Sequence, residues 1–120
     1  MPMLTRMQYD ILQASARSIA VLLREMQSDA ELFSSANTLR KVESYLLVIA
    51  QTLAHLPPPL QQRLLQVDWH GWSCLQKQLE QDLQPRRAEV WYGTQALVPN
   101  TLQLLKKLRQ QEPIWFEMDY

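Results

Sequence analysis

Few side chains in this 120-residue chain could do chemistry. His55 and His70 are its two histidines and Cys74 its one cysteine. Neither histidine stands in a metal-binding spacing such as HExxH or beside paired Cys-x-x-Cys ligands, so no metal or cofactor is expected. His55 reads as a helix C-terminal residue whose imidazole meets the last carbonyls. Cys74 reads as a small hydrophobe buried on its helix, with no histidine partner. Gly71 and Gly93 are the only glycines, too few for a loop that cradles phosphates with backbone amides.

The denser group is the stretch that contains Asp82, Arg86, Arg87, Glu89, Trp91 and Tyr92. Arginines beside stackable rings can hold single-stranded RNA, and a carboxylate or phenol acts as acid or base when its surroundings shift its pKa. Against that, Lys+Arg and Asp+Glu both number 12, so no global field draws the chain to nucleic acid or to an anionic membrane. Arg86 and Arg87 then read as solvated residues at a helix start, and Trp91 as core. Lys106, Lys107 and Arg109 form a second basic group.

These side chains need helices to position them. Fifteen glutamines, many leucines and only two glycines favour an all-α fold. The first helix is predicted from Leu4 to Met26, with Leu4, Met7, Ile11, Leu12, Ile19, Leu22, Leu23 and Met26 on its buried side. Ser28 and Glu31 form a capping-box pattern that starts the second. Along it Leu39, Val42, Leu46, Ile49, Leu53 and Leu56 step as a heptad seam, giving about 25 residues, or roughly 37 Å, of helix. Pro57, Pro58 and Pro59 end it, and a short helical piece is predicted from Leu60 to Gln66. Asp68 is the expected N-cap of a third long helix that buries Trp72, Leu75, Leu79 and Leu83 and is closed by Pro85. The fourth runs from Arg87 to Gln111, kinked at Pro99. Residues 112–120 form a short aromatic and acidic tail, too short for an element of its own, in which Trp115, Phe116 and Tyr120 either fold back on the chain, the expected outcome, or dock in a partner's groove. One domain over residues 1–120 results, an antiparallel four-helix up-and-down bundle with a short extra helix. The start MPMLTRMQYD has no leader-like pattern and no apolar run approaches the roughly 18 residues of a membrane span, so a cytoplasmic setting is expected. A single cysteine suits a reducing compartment.

In this order the residues resemble the HepT-like branch of the HEPN domains. The phrases that carry the likeness are YDIL at 9–12, ELF at 31–33, IAQTLAHLP at 49–57, VDW at 67–69, and Trp91 ahead of Val98 and Pro99. The resemblance implies a helical homodimer, often the toxin partner of a minimal nucleotidyltransferase in a toxin–antitoxin pair. Active members are metal-independent ribonucleases with the pattern Arg, four residues, His, one residue, Tyr, placed in a cleft across the dimer. A histidine of near-neutral pKa moves the proton of a ribose 2′-hydroxyl and an arginine holds the phosphate.

Registered on Trp69, that pattern falls on Gln76, Gln81 and Leu83, none of which matches. A shift by one residue gives Lys77, Asp82 and Gln84. A register from Arg86 puts Trp91 in place of the histidine and Gly93 in place of the tyrosine. The glutamate of the family's second-helix phrase is Gln51. Every register lacks the imidazole. The expectation is a non-catalytic HepT-like binding partner. The alternatives are a ribonuclease with a rearranged site built on Arg86, Arg87, Glu89 or Tyr92, and a helical interaction module unrelated to HEPN.

Overall fold

The buried face of the first helix cannot be found from hydrophobicity alone. In the computed structural model, which describes residues 2–117, helix α1 spans Pro2–Leu23. Its seam runs Thr5, Gln8, Leu12, Ser15, Ile19, a strict alternation of three and four, and each of these side chains is buried. Three are polar. Met7 and Ile11, expected inside, are 54% and 42% exposed. Gln8 is held in the interior by donating through Nε2 to the carbonyl of His55 at 3.0 Å. Leu4 lies outside the described side chains.

The predicted second helix is two helices. A short α2, Asp29–Phe33, is separated from α3, Ala36–Ala54, by Ser34 and Ser35. Ser34 Oγ donates to the Glu31 carbonyl at 3.0 Å, a side-chain bond that competes with helix continuation, and Ser35 turns out of the helical region. At Ser28 the expected capping box does not form: its hydroxyl makes no cap bond, and Glu31 Oε1 accepts instead from the backbone N–H of Gln27, one residue ahead of the cap, at 3.3 Å. The heptad seam is as expected from Val42 through Leu46, Ile49 and Leu53 to Leu56 just beyond the helix, all at 3% exposure or less, while Leu39 at its start is half-buried. α3 packs on α1, and the two run in opposite directions: Gln8 near the start of one meets His55 at the end of the other, while Leu22 shares a groove with Arg40.

The three prolines separate two helices and start the second. Pro57 is extended at ψ 136°, as a residue before proline must be, and α4 then occupies Pro58–Gln62, where missing amides would be unpaired in any case. Gln61 Nε2 reaches back to the Leu53 carbonyl at 3.1 Å and so satisfies the end of α3.

Helix α5, Trp69–Glu80, starts on Asp68, whose Oδ1 accepts from the Gly71 amide at 2.9 Å. Trp72 and Leu75 are buried, and the indole of Trp72 donates to Thr101 Oγ1 at 2.9 Å. The helix stops before Pro85. Asp82 takes the left-handed conformation at φ 50° and the Leu83 amide bonds the Gln78 carbonyl at 2.9 Å, a Schellman ending that expels Leu83 to 41% exposure.

Residues 87–111 form one helical rod of three parts: α6 (Arg87–Tyr92), a π turn (Gly93–Leu97) and α7 (Val98–Gln111). Pro99 offers no amide, and the bond that opens the register ahead of it runs from the Val98 amide to the Gly93 carbonyl. The expected irregularity is therefore a π turn preceding Pro99. Gly93 sits where a side chain would crowd the interior, since a Cβ would lie 3.0 Å from Leu75 Cδ2. The tail adds an element that its shortness argued against, the single turn α8 (Ile114–Glu117). It folds back as expected: Phe116 is buried with its ring centroid 5.1 Å from that of Tyr9. Asp119 and Tyr120 lie outside the described residues. Every described element is helical, and among the described residues no helix is long and apolar enough to cross a membrane.

Candidate functional site

The corner where α5 ends and α6 begins brings together most of the side chains that the sequence singles out. Arg86 is its centre. Its Nε and Nη2 donate to the two carboxylate oxygens of Glu43 on α3 at 2.8 and 3.2 Å, while Nη1 donates to Asp82 Oδ1 at 2.6 Å and to the Leu83 carbonyl at 3.3 Å. Only 13% of the Arg86 side chain and 17% of the Glu43 side chain remain exposed. The hydrogen bonds to Glu43 first, and then those to Asp82, raise the guanidinium pKa still further above its ordinary value. Arg86 is thus neither a solvated helix-start residue nor a free phosphate ligand, but the clamp that binds α6 to α3. Glu43 carried no motif to single it out.

Its neighbour makes a second clamp. Arg87 lies over the ring of Phe33 at 4.9 Å and reaches Asp29 Oδ2 at 3.3 Å, which pins the start of α6 to α2. Tyr92 Oη donates to Asp68 Oδ2 at 3.1 Å, and this bond, followed by the charge of Asp68, raises its pKa. The phenol stays protonated at neutral pH and supplies no base. Trp91 is half-buried against the core and Glu89 is exposed in the first turn of α6. The corner therefore has its cations neutralised and its phenol engaged.

The positions that the resemblance would make catalytic form no such constellation. Gln76 Nε2 donates to Glu80 Oε2 at 3.1 Å, and Gln51 Nε2 donates to the same oxygen at 3.0 Å. These two bonds, that of Gln51 the larger, lower the Glu80 pKa. Gln81 is the exposed C-cap of α5, and Leu83 lies beyond the helix. Of the alternative registers, Lys77 and Gln84 are exposed and Gly93 is buried.

Gln51, Gln76 and Glu80 share a shallow cleft of about 430 Å³ with Gln8, Ile11, Thr52 and His55. His55 caps α3 as expected, its Nδ1 lying 2.7 Å from the Gln51 carbonyl, so Nδ1 is the donor and Nε2 is left to face outward. This pairing of an imidazole and a carboxylate on facing helices was missed from sequence. The only signal was two one-turn pairs, Gln51 with His55 and Gln76 with Glu80, whose meeting depends on how α3 and α5 pack. The cleft contains no arginine or lysine to take up phosphate charge.

No family model, curated protein or solved structure matches the chain. Function has to be argued from its own side chains. Cys74 needs correction here, for it is exposed and its Sγ lies 3.6 Å from His70 Nε2, one turn earlier on α5. It sits on the outer face because Trp72 and Leu75 take the buried one. Among the described residues no three His, Cys, Asp or Glu side chains are grouped to hold a metal ion.

Proposed function

We propose that this chain is a non-catalytic association protein: a HepT-like HEPN relative that acts as a homodimer and as the binding partner of a minimal nucleotidyltransferase, in the cytoplasm. In this reading α1, α3, α5 and the 87–111 rod are the four long helices of an antiparallel up-and-down bundle, with α4 as the short extra one. The observation that carries the non-catalytic part is Arg86. The arginine nearest the expected site gives four of its five N–H donors to Glu43, Asp82 and a backbone carbonyl, so no two-pronged face of it is left for a phosphate. Support for a second copy comes from Leu83 and Tyr92, apolar surfaces 41% and 49% exposed beside that corner.

The test is incubation of the purified full chain and of an Arg86→Ala variant with single-stranded RNA, alongside light scattering for the number of chains per particle. The expected outcome is intact RNA with both proteins and a particle of two chains. RNA cleavage that the variant loses would overturn the reading in favour of a ribonuclease with a rearranged site. A monomer at all concentrations would remove the homodimer.

A further inference from the structure

The cations of the α5–α6 corner are neutralised, but another group is not. Between the second half of α1 and the first turns of α3 lies a groove of about 830 Å³. It exists because Ala14 and Ser18 on α1 face Ser44 on α3, and these small side chains leave the helices' outer faces unfilled. Its apolar lining includes Val21, 54% exposed, with Leu22 and the ring of Tyr45 half-buried. Arg17, Arg40 and Lys41 surround that lining, and among the described residues no acidic one contributes to it. Among the described residues no ion pair joins Arg17, Arg40 or Lys41 to a carboxylate.

We infer that this groove receives an amphipathic helix of a partner protein, with an apolar stripe on Val21, Leu22 and Tyr45 and flanking carboxylates on Arg17, Arg40 and Lys41. The inference rests on the association reading above and gives the partner its chemistry. Charge complementarity selects the sign, and the apolar lining selects a helix over an extended acidic tail. RNA is disfavoured because Tyr45 is the only ring in the groove among the described residues, and base stacking calls for a platform of rings. A second copy is disfavoured because no exposed apolar side chain of a described helix is flanked along that helix by two carboxylates, Glu89 one turn before Tyr92 being a single one. Asp10 is a single carboxylate beside Met7 and Ile11, and Asp82 beside Leu83 is already held by Arg86.

The experiment titrates the full chain into a fluorescein-labelled helical peptide of designed sequence, with leucines at i, i+3, i+4 and i+7 and glutamates on both flanks. Controls are the same peptide with lysines for glutamates, a scrambled peptide of equal composition, and oligo-uridine. Binding of the glutamate peptide is expected, weakened at least tenfold by Arg40→Glu with Lys41→Glu. The double variant should gain affinity for the lysine peptide, and amide shifts should centre on Val21 and Tyr45. Both substituted positions are exposed, so unchanged helicity is expected to separate lost binding from lost folding. Tighter binding of oligo-uridine, equal binding of the scrambled peptide, amide shifts elsewhere, self-association through Val21, or no binding of the glutamate peptide would each overturn the inference. Those results leave the association reading standing as long as RNA stays intact, whereas RNA cleavage sinks that reading whatever the peptide does.

Discussion

Replacing Arg86 by alanine should cost stability on a scale set by Glu43. The pair is bidentate and both side chains are about five-sixths buried, so truncation strands a carboxylate in a largely dry site. Breaking one side of a fully buried pair costs about 3–5 kcal/mol. Discounting for the remaining exposure gives about 2–4 kcal/mol, or a fall in Tm on the order of 10 °C for a domain of this size. Asp82 also bonds Arg86, but 83% of its side chain is in water, so Asp82→Asn, which keeps a residue tolerant of φ 50°, should cost under about 1 kcal/mol. The assay is urea unfolding followed by far-ultraviolet circular dichroism on the wild type, Arg86→Ala, Glu43→Gln and the double variant. The cycle should give a coupling of about 1–3 kcal/mol between Arg86 and Glu43, with the double variant less damaged than the two single effects sum to. A cost for Arg86→Ala below about 1 kcal/mol, or no coupling to Glu43, would show that the guanidinium is free, and with that the main argument against phosphate binding at this corner would fall.

Asp82 at φ 50° occupies a conformation natural to glycine, so Asp82→Gly should leave stability unchanged or raise it by about 0.5 kcal/mol despite the lost exposed ion pair; a loss above about 1 kcal/mol in the same urea assay would contradict the Schellman account. Phe116→Ala should cost about 3 kcal/mol and speed proteolysis near residue 112, because that ring anchors α8 on Tyr9, and unaltered stability would mean that the tail does not dock. Thr101→Val removes the acceptor of a buried indole N–H and should cost about 1–3 kcal/mol by thermal melt, whereas a neutral result would place that N–H in water. Tyr92, its pKa raised by Asp68, contributes stability that is complete below the unfolded phenol value of about 10 and is lost as pH rises through the higher folded value, so wild type and Tyr92→Phe should converge only in that alkaline window.

Helical character was legible from glutamine and leucine content, and the α3 seam was legible residue by residue because it buries only aliphatic side chains. α1 was misplaced because its buried seam contains Thr5, Gln8 and Ser15, which hydrophobic patterning scores as surface. The Ser34–Ser35 break and the Leu83 exit are decided by local hydrogen bonds, in one case by a serine hydroxyl and in the other by a left-handed aspartate. Neither has a periodic signature. At the corner, Arg86, Arg87, Asp82 and Tyr92 were legible as a group by proximity in sequence. Their roles were not, because Glu43, Asp29 and Asp68 come from distant stretches and carry the charges that decide whether an arginine is available.

A net charge of zero says little about any one surface of this molecule. Twelve cations balance twelve acids over the whole chain, but the balance is not local. Asp29, Glu43, Asp82 and Glu112 are drawn into pairs with Arg63, Arg86 and Arg87, so charge is cancelled where helices need to be joined. The same accounting leaves Arg17, Arg40 and Lys41 around a groove to which no described acidic residue contributes. An active site for phosphate chemistry would invert this pattern, with its cations unpaired at the imidazole and its ion pairs elsewhere. Here the imidazole of His55 shares its cleft with a carboxylate and, among the described residues, no cation, while Arg17, Arg40 and Lys41 share theirs with Val21 and Leu22. That separation of the imidazole from the cations adds to the engagement of Arg86 in supporting the proposal of association over phosphoryl chemistry.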